Sequence, residues 1–160
     1  MIKVTVICVG KLKEKYLKDA VAEYSKRLKS LCKFEIIEVD EEKTADNPNN
    51  SQIENILNAE GKRILSKIDT SAKVIAMCIE GKQKSSENFA KLFETYAVNG
   101  TSSIAFVIGG SWGLSQEVKR RAVLKLSMSE MTFPHQLARV MLCEQIYRAF
   151  SINSGSKYHK

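Results

Sequence analysis

Nothing in this 160-residue sequence approaches the roughly 20 consecutive apolar residues of a membrane-spanning helix. A membrane is therefore not an expected partner. Histidine is nearly absent, with only His135 and His159, and the four cysteines (Cys8, Cys32, Cys78, Cys143) lie far apart with no C-x-x-C pair. That dispersal argues against a zinc site and against any metal. Proline and glycine are scarce, at two and eight, and neither an internal repeat nor a low-complexity tract is present. With 44% hydrophobic and 27% charged residues, collagen-like, coiled-coil and disordered classes are excluded. A chain of this length buries close to 70% of its unfolded surface, so it needs no disulfide or metal staple.

The N-terminal apolar run is short, is interrupted by Lys3, and leads into Gly10-Lys11-Leu12-Lys13 rather than a small-residue cleavage site. It predicts a buried strand instead of a signal peptide. Three of the cysteines sit inside apolar runs, where a thiol packs as a small hydrophobe. A reducing cytoplasm is the expected compartment.

Acidic residues are outnumbered, 18 against 25 Lys and Arg, for a net charge of +7. The imbalance is uneven. Residues 34–60 carry eight acidic residues and one basic, a net of −7, while the rest of the chain carries 24 basic against ten acidic, a net of +14. A charge run is often only a solvated face. A basic field over most of a small protein favours a polyanionic partner.

Apolar periodicity alternates between strand and helix. Residues 2–9, 34–39, 73–79, 103–108 and 123–127 read as strands, the third ended by Gly81. Residues 14–28, 51–67, 85–96, 115–121 and 134–151 read as helices. Ser51 and Glu54 carry a capping-box signature, and Pro134 suits a helix first turn. The expectation is one α/β domain over residues 1–160, a mostly parallel sheet flanked by helices.

In such sheets ligands bind outside the carboxyl ends of the strands. Gly109-Gly110-Ser111-Trp112-Gly113 follows a buried strand and lets backbone approach a ligand, or is simply a tight turn. It matches neither G-x-G-x-x-G nor a phosphate-binding Walker loop. Residues 127–136 form a second loop dense in backbone donors and acceptors, able to cup a purine ring. His135, in a helix first turn, is expected to stay neutral through repulsion by the helix dipole. In the last helix Glu144 and Arg148 are spaced for an i,i+4 ion pair, and Arg139 is a further cation among apolar neighbours. The tail ends in Tyr158-His159-Lys160, an aromatic, a titratable group and a cation suited to stacking on a base and holding phosphate.

Six motifs in order then carry a resemblance. They are Val9-Gly-Lys-Leu-Lys13, Gly81-Lys-x-x-Ser-Ser-Glu87, Phe106-Val-Ile-Gly-Gly-Ser-x-Gly-Leu114, Met131-Thr-Phe-Pro-His-Gln136, Glu144-Gln-Ile-Tyr-Arg-Ala-Phe150 and the terminal Tyr-His-Lys. The chain resembles the ribosomal RNA large-subunit methyltransferase H family, within the knotted SPOUT class. The resemblance implies a homodimer with a C-terminal trefoil knot and a composite active site. It implies S-adenosylmethionine as methyl donor, held by Met77, Gly109, Met128, Ser129, Glu130, Met131, Thr132 and Phe133. The substrate it implies is a pseudouridine of large-subunit rRNA, methylated at N3 on the assembled ribosome. Glu130 stands where the family most often has lysine, and Trp112 also departs from its usual pattern. Side-chain roles follow as expectations: Arg139 and Arg148 on phosphate or base carbonyls, Glu144 organising them, His159 as base, Tyr158 stacking and Lys160 on RNA. Two readings of other classes compete with this one: a non-catalytic RNA-binding protein on the same basic face, and a phosphate-binding hydrolase using the Gly109 loop.

Overall fold

A computed structural model describes residues 1–160. The elements are β1 (Lys3–Val9), α1 (Lys15–Leu28), β2 (Lys33–Val39), α2 (Asn50–Leu65) and β3 (Lys73–Gln83), then α3 (Ser86–Val98), β4 (Ser103–Ile108), α4 (Gln116–Arg121), β5 (Leu124–Ser127) and α5 (His135–Asn153). The strands form one parallel sheet in the order β2-β1-β4-β3-β5.

Alternation along the central strands divides the core between two faces. Val4, Val6 and Cys8 of β1, Ile75 of β3, and Ile104, Phe106 and Ile108 of β4 point to one face. There they meet Leu28 of α1, Phe89 and Phe93 of α3, and Leu142 and Ile146 of α5. Ring centroids of Phe93 lie 5.2 Å from Phe89 and 5.2 Å from Phe150, so α3 and α5 interlock. Ile7, Val9, Val74, Ala76, Ala105 and Val107 face the other way, against Ile64 of α2, Leu114 and Val118. Burial drives the thiols of Cys8, Cys32 and Cys143 up to about 12, which leaves them protonated and inert.

Two expectations need correction. α2 is capped by Asn49, not Ser51: the Asn49 carboxamide oxygen accepts from the Gln52 N–H and the Gln52 side chain accepts from the Asn49 N–H, both at 2.8 Å. The same spacing recurs two residues earlier, and asparagine is as good a cap as serine. Nor does β3 stop before Gly81. It runs on to Gln83, with Met77 and Lys82 both registered against Leu126 and the residues between them bulged out. Any Cβ on Gly81 would stand 2.7 Å from the Leu126 backbone, so only glycine permits this approach.

A buried ion pair fixes the start of α5. Arg139 is only 2% exposed; it donates to a Glu38 carboxylate oxygen at 2.6 Å and to the Gly10 carbonyl at 3.1 Å. Helix α5 is thus pinned to the carboxyl ends of β1 and β2. The Glu38 side chain is 37% exposed and can hydrate if left alone, whereas the guanidinium cannot. Glu38→Ala therefore strands a buried cation and is expected to cost about 3 kcal/mol in urea unfolding. Arg139→Met, which keeps the apolar stem, costs clearly less; equal losses would contradict this asymmetry.

Candidate active site

The Gly109–Gly113 turn, the β3 bulge and the loop between β5 and α5 meet around a cavity of about 750 Å³. Met77, Cys78, Ile79 and Glu80 form one wall, Ile108 to Leu114 a second, and Leu126 to Ser129, Met131 to His135 and Ala138 the remainder. Gly109 packs so tightly on the Gly113 backbone that a Cβ would overlap its carbonyl oxygen. The loop is braced internally, since Ser127 Oγ donates to the Ser129 carbonyl and the Met131 N–H donates to Ser129 Oγ. The N–H groups of Ser129, Thr132 and Phe133 donate to no acceptor in the protein and remain available to a ligand. At the mouth, the Lys119 ammonium donates to Glu80 at 2.6 Å, tying the bulge to α4 and holding the Glu80 carboxyl below its usual range.

A second cavity of about 340 Å³ lies beside the first and shares Met77, Leu126, Ser127 and Met128 with it. Its far side carries Lys84, Ser86, Glu144 and Gln145. Behind Glu144 stands the polar cluster of the C-terminus. Glu144 accepts two hydrogen bonds from Arg148, at 2.9 and 2.6 Å, one from the Tyr158 hydroxyl at 3.2 Å and one from Gln145 at 2.8 Å. The Tyr158 ring covers the Arg148 guanidinium at 4.8 Å and packs edge-on against Tyr147. Burial and its neighbours raise the Tyr158 hydroxyl to about 12, so it is a donor and not an anion. The tail is therefore docked.

His159 lies between Arg148, 3.0 Å from Nδ1, and Glu87, 2.8 Å from Nε2. A guanidinium only donates, so Nδ1 accepts and Nε2 carries the proton given to Glu87, a tautomer assigned from the network. The same bond holds the Glu87 carboxyl below the usual carboxylate range. In this arrangement His159 has no free lone pair.

The candidate residues thus fall into three places. Met77, Gly109, Met128, Ser129, Met131, Thr132 and Phe133 line the large cavity, while Glu130 does not and is exposed. Glu144, Arg148, Tyr158 and His159 form one cluster, with Lys160 exposed beside it. Arg139 joins neither group, being enclosed with Glu38. Sequence reasoning did not find the bulge wall, the Glu80–Lys119 tie or the Lys84, Ser86 and Gln145 side of the second cavity. Of these, Ser86 and Gln145, which like Glu87 stand inside quoted motifs, carried a signal.

His135 is held below its ordinary 6.5, chiefly by burial; Glu41 opposes the lowering, and Arg139 and Lys13 add to it. A folded-state value below the unfolded one means stability present above pH 6.5 and lost as pH falls through the lowered value. Urea titrations from pH 7 downward are expected to show this loss in the parent chain and a shallower one in His135→Gln. Parallel curves would refute the assignment.

Comparison with known proteins places this geometry. A family model described as "Predicted SPOUT methyltransferase" matches residues 2–159. A relative from Clostridium perfringens (strain 13 / Type A), named ribosomal RNA large subunit methyltransferase H, is 59% identical over 157 residues, covering 98% of this chain and 99% of its own. One of the same name from Streptococcus thermophilus is 57% identical over 158 residues, covering 99% of each chain. Among solved structures, a probable methylase family protein from Haemophilus influenzae Rd KW20 shares the fold, with a TM-score of 0.52 at 13% identity over 99% of this chain and 70% of that one. The chain belongs to the SPOUT methyltransferase family, in the branch of the ribosomal RNA large-subunit methyltransferase H proteins.

Proposed function

We propose that this chain, one domain over residues 1–160, is an S-adenosylmethionine-dependent methyltransferase of large-subunit ribosomal RNA. Its target is N3 of a pseudouridine on the assembled ribosome, and it works in the cytoplasm as a homodimer with a C-terminal trefoil knot. The observation that carries the proposal is the large cavity, in a chain alike from end to end to relatives of that name. At about 750 Å³ it has the size of a cofactor site, and its walls combine apolar side chains with unpaired backbone donors. Those donors suit the edge of a purine ring. Met77, Gly109, Met128, Ser129, Met131, Thr132 and Phe133 would hold the group, with Glu130 contributing main chain only. When bound, S-adenosylmethionine supplies a methyl group on a cationic sulfonium.

The protein's own residues then bind and align. Arg148, Tyr158 and Lys160 hold RNA. Glu144, with donors on both oxygens, orients Arg148 and Tyr158. His159 accepts a proton after RNA phosphate draws Arg148 from its Nδ1. Arg139 acts through position, seating α5 and with it the cavity wall at His135 and Ala138. Leu137, exposed, and Val140, half-buried, give α5 an apolar outer patch that suits a second copy. The partner supplies part of the RNA-contacting surface.

Calorimetric titration is expected to show saturable S-adenosylmethionine binding, and Gly109→Ala is expected to abolish it by displacing Gly113. Methyl transfer to ribosomal subunits exceeds that to naked rRNA. RNA binding without cofactor binding would instead mark a non-catalytic RNA-binding protein. Removal of residues 158–160 lowers the methylation rate about tenfold or more, the scale of losing proton transfer or charge-assisted contacts, while cofactor affinity stays within about twofold. Unchanged methylation would reject the tail's role. Sedimentation should report two chains, and a fully active monomer would reject the dimer.

A further inference from the structure

Beyond the four residues it shares with the first, the second cavity is lined by side chains with no part in holding a cofactor, yet it is built like a ligand site. Along α5 the order is Ala138 on the first cavity, Met141, Leu142, Glu144 and Gln145 on the second, and Arg148 in the tail cluster. The second cavity therefore lies between the site that would hold the methyl donor and the residues that would hold RNA. The two cavities meet along a shared lining of Met77, Leu126, Ser127 and Met128. Phe89 and Leu142 add apolar lining.

The polar side has a definite donor pattern. Ser86 Oγ donates to the Gln145 carbonyl oxygen at 2.7 Å, and the Gln145 amide gives one N–H to Glu144 at 2.8 Å. Because a carboxamide has two N–H groups, one donor remains free. Lys84 is exposed and makes no hydrogen bond or ion pair, so its ammonium is a second free donor on the same cavity. An imide ring, with carbonyl oxygens on both sides of its N–H, accepts from two such donors. A cytosine ring presents an amino group where one of those oxygens would be, and meets donor with donor.

We propose that this cavity seats the target base as a flipped-out uracil-type ring, with Gln145 and Lys84 on its two carbonyl oxygens and the ring nitrogen turned toward the first cavity. The inference rests on the methyltransferase reading above. In the transfer the N3 proton would leave through water to His159, the N3–carbon bond would form, and the donor's sulfur–carbon bond would break with its electron pair remaining on sulfur. Lys84 holds the negative charge on the ring oxygen between proton loss and methylation, as a preorganised cation does for any developing oxyanion.

The test uses the full-length protein, with Lys84→Met and Gln145→Met read in four ways. Cofactor affinity by calorimetry stays within about twofold of the parent, and kcat on ribosomal subunits falls about tenfold or more, the scale of one charge-assisted hydrogen bond. In Lys84→Met the rise of kcat with pH moves to higher pH, because the imide proton leaves less readily without the ammonium. With no methyl donor present, uridine shifts the Ser86 and Gln145 amide signals in NMR spectra, and cytidine does not. Parent-like kcat and pH profiles in both variants, or equal shifts from the two nucleosides, would overturn the assignment while leaving the methyltransferase reading intact. Failure of the parent chain to bind S-adenosylmethionine would overturn both.

Discussion

Both cavities depend on the contact between the Leu126 backbone and Gly81. Because Leu126 is registered against Met77 and again against Lys82, β5 stays on the sheet edge while Cys78, Ile79 and Glu80 are pushed outward. The bulge becomes one wall of the large cavity, and Met77 and Leu126 are left on the partition between the two. A straight β3 would close that space. Bulges of this kind recur where a strand must re-aim its side chains next to a site.

The strands and helices were legible because burial leaves a simple record. Val4, Val6 and Cys8 alternate with Thr5, Ile7 and Val9 since each neighbour faces the opposite helical layer. Gly81 was legible as a glycine but not as a close approach, because the residue that demands it lies 45 positions on and leaves no local pattern. Arg139 illustrates the converse. A lone cation in an apolar helix looks like a ligand-binding group, and only the tertiary structure shows its partner to be Glu38, 101 residues away. Glu144 and Arg148 were legible by spacing alone. The docking of Tyr158 and His159 onto them was not, since a Gly-Ser-rich approach to the terminus reads as free chain.

The acidic stretch also takes on a meaning that charge counting withheld. Glu35 pairs with Lys3, Glu38 with Arg139 and Glu42 with Arg63, so three of its carboxylates neutralise cations of other segments. Lys15, Arg27, Lys119 and Arg148 are likewise paired with Asp19, Glu23, Glu80 and Glu144. A polyanion approaching this surface exchanges one anion for another at such positions. Its affinity then falls less steeply with salt than the count of lysines and arginines alone would give.

The sheet order has a consequence for how the molecule comes to exist. The large cavity takes its walls from residues 77–80, 108–114 and 126–138, and β5 reaches its edge position only beside a completed β3. A chain growing from its N-terminus can pair β1 with β2, and later β4 with β1 and β3, before any of the last wall has been synthesised. Assembly of the cavity is thus a late folding event that closes long loops, the slow kind. Until α5 docks, the apolar face formed by Val4, Val6, Ile104 and Phe106 stays partly uncovered, so the unfinished chain is at its most aggregation-prone just before its ligand site forms.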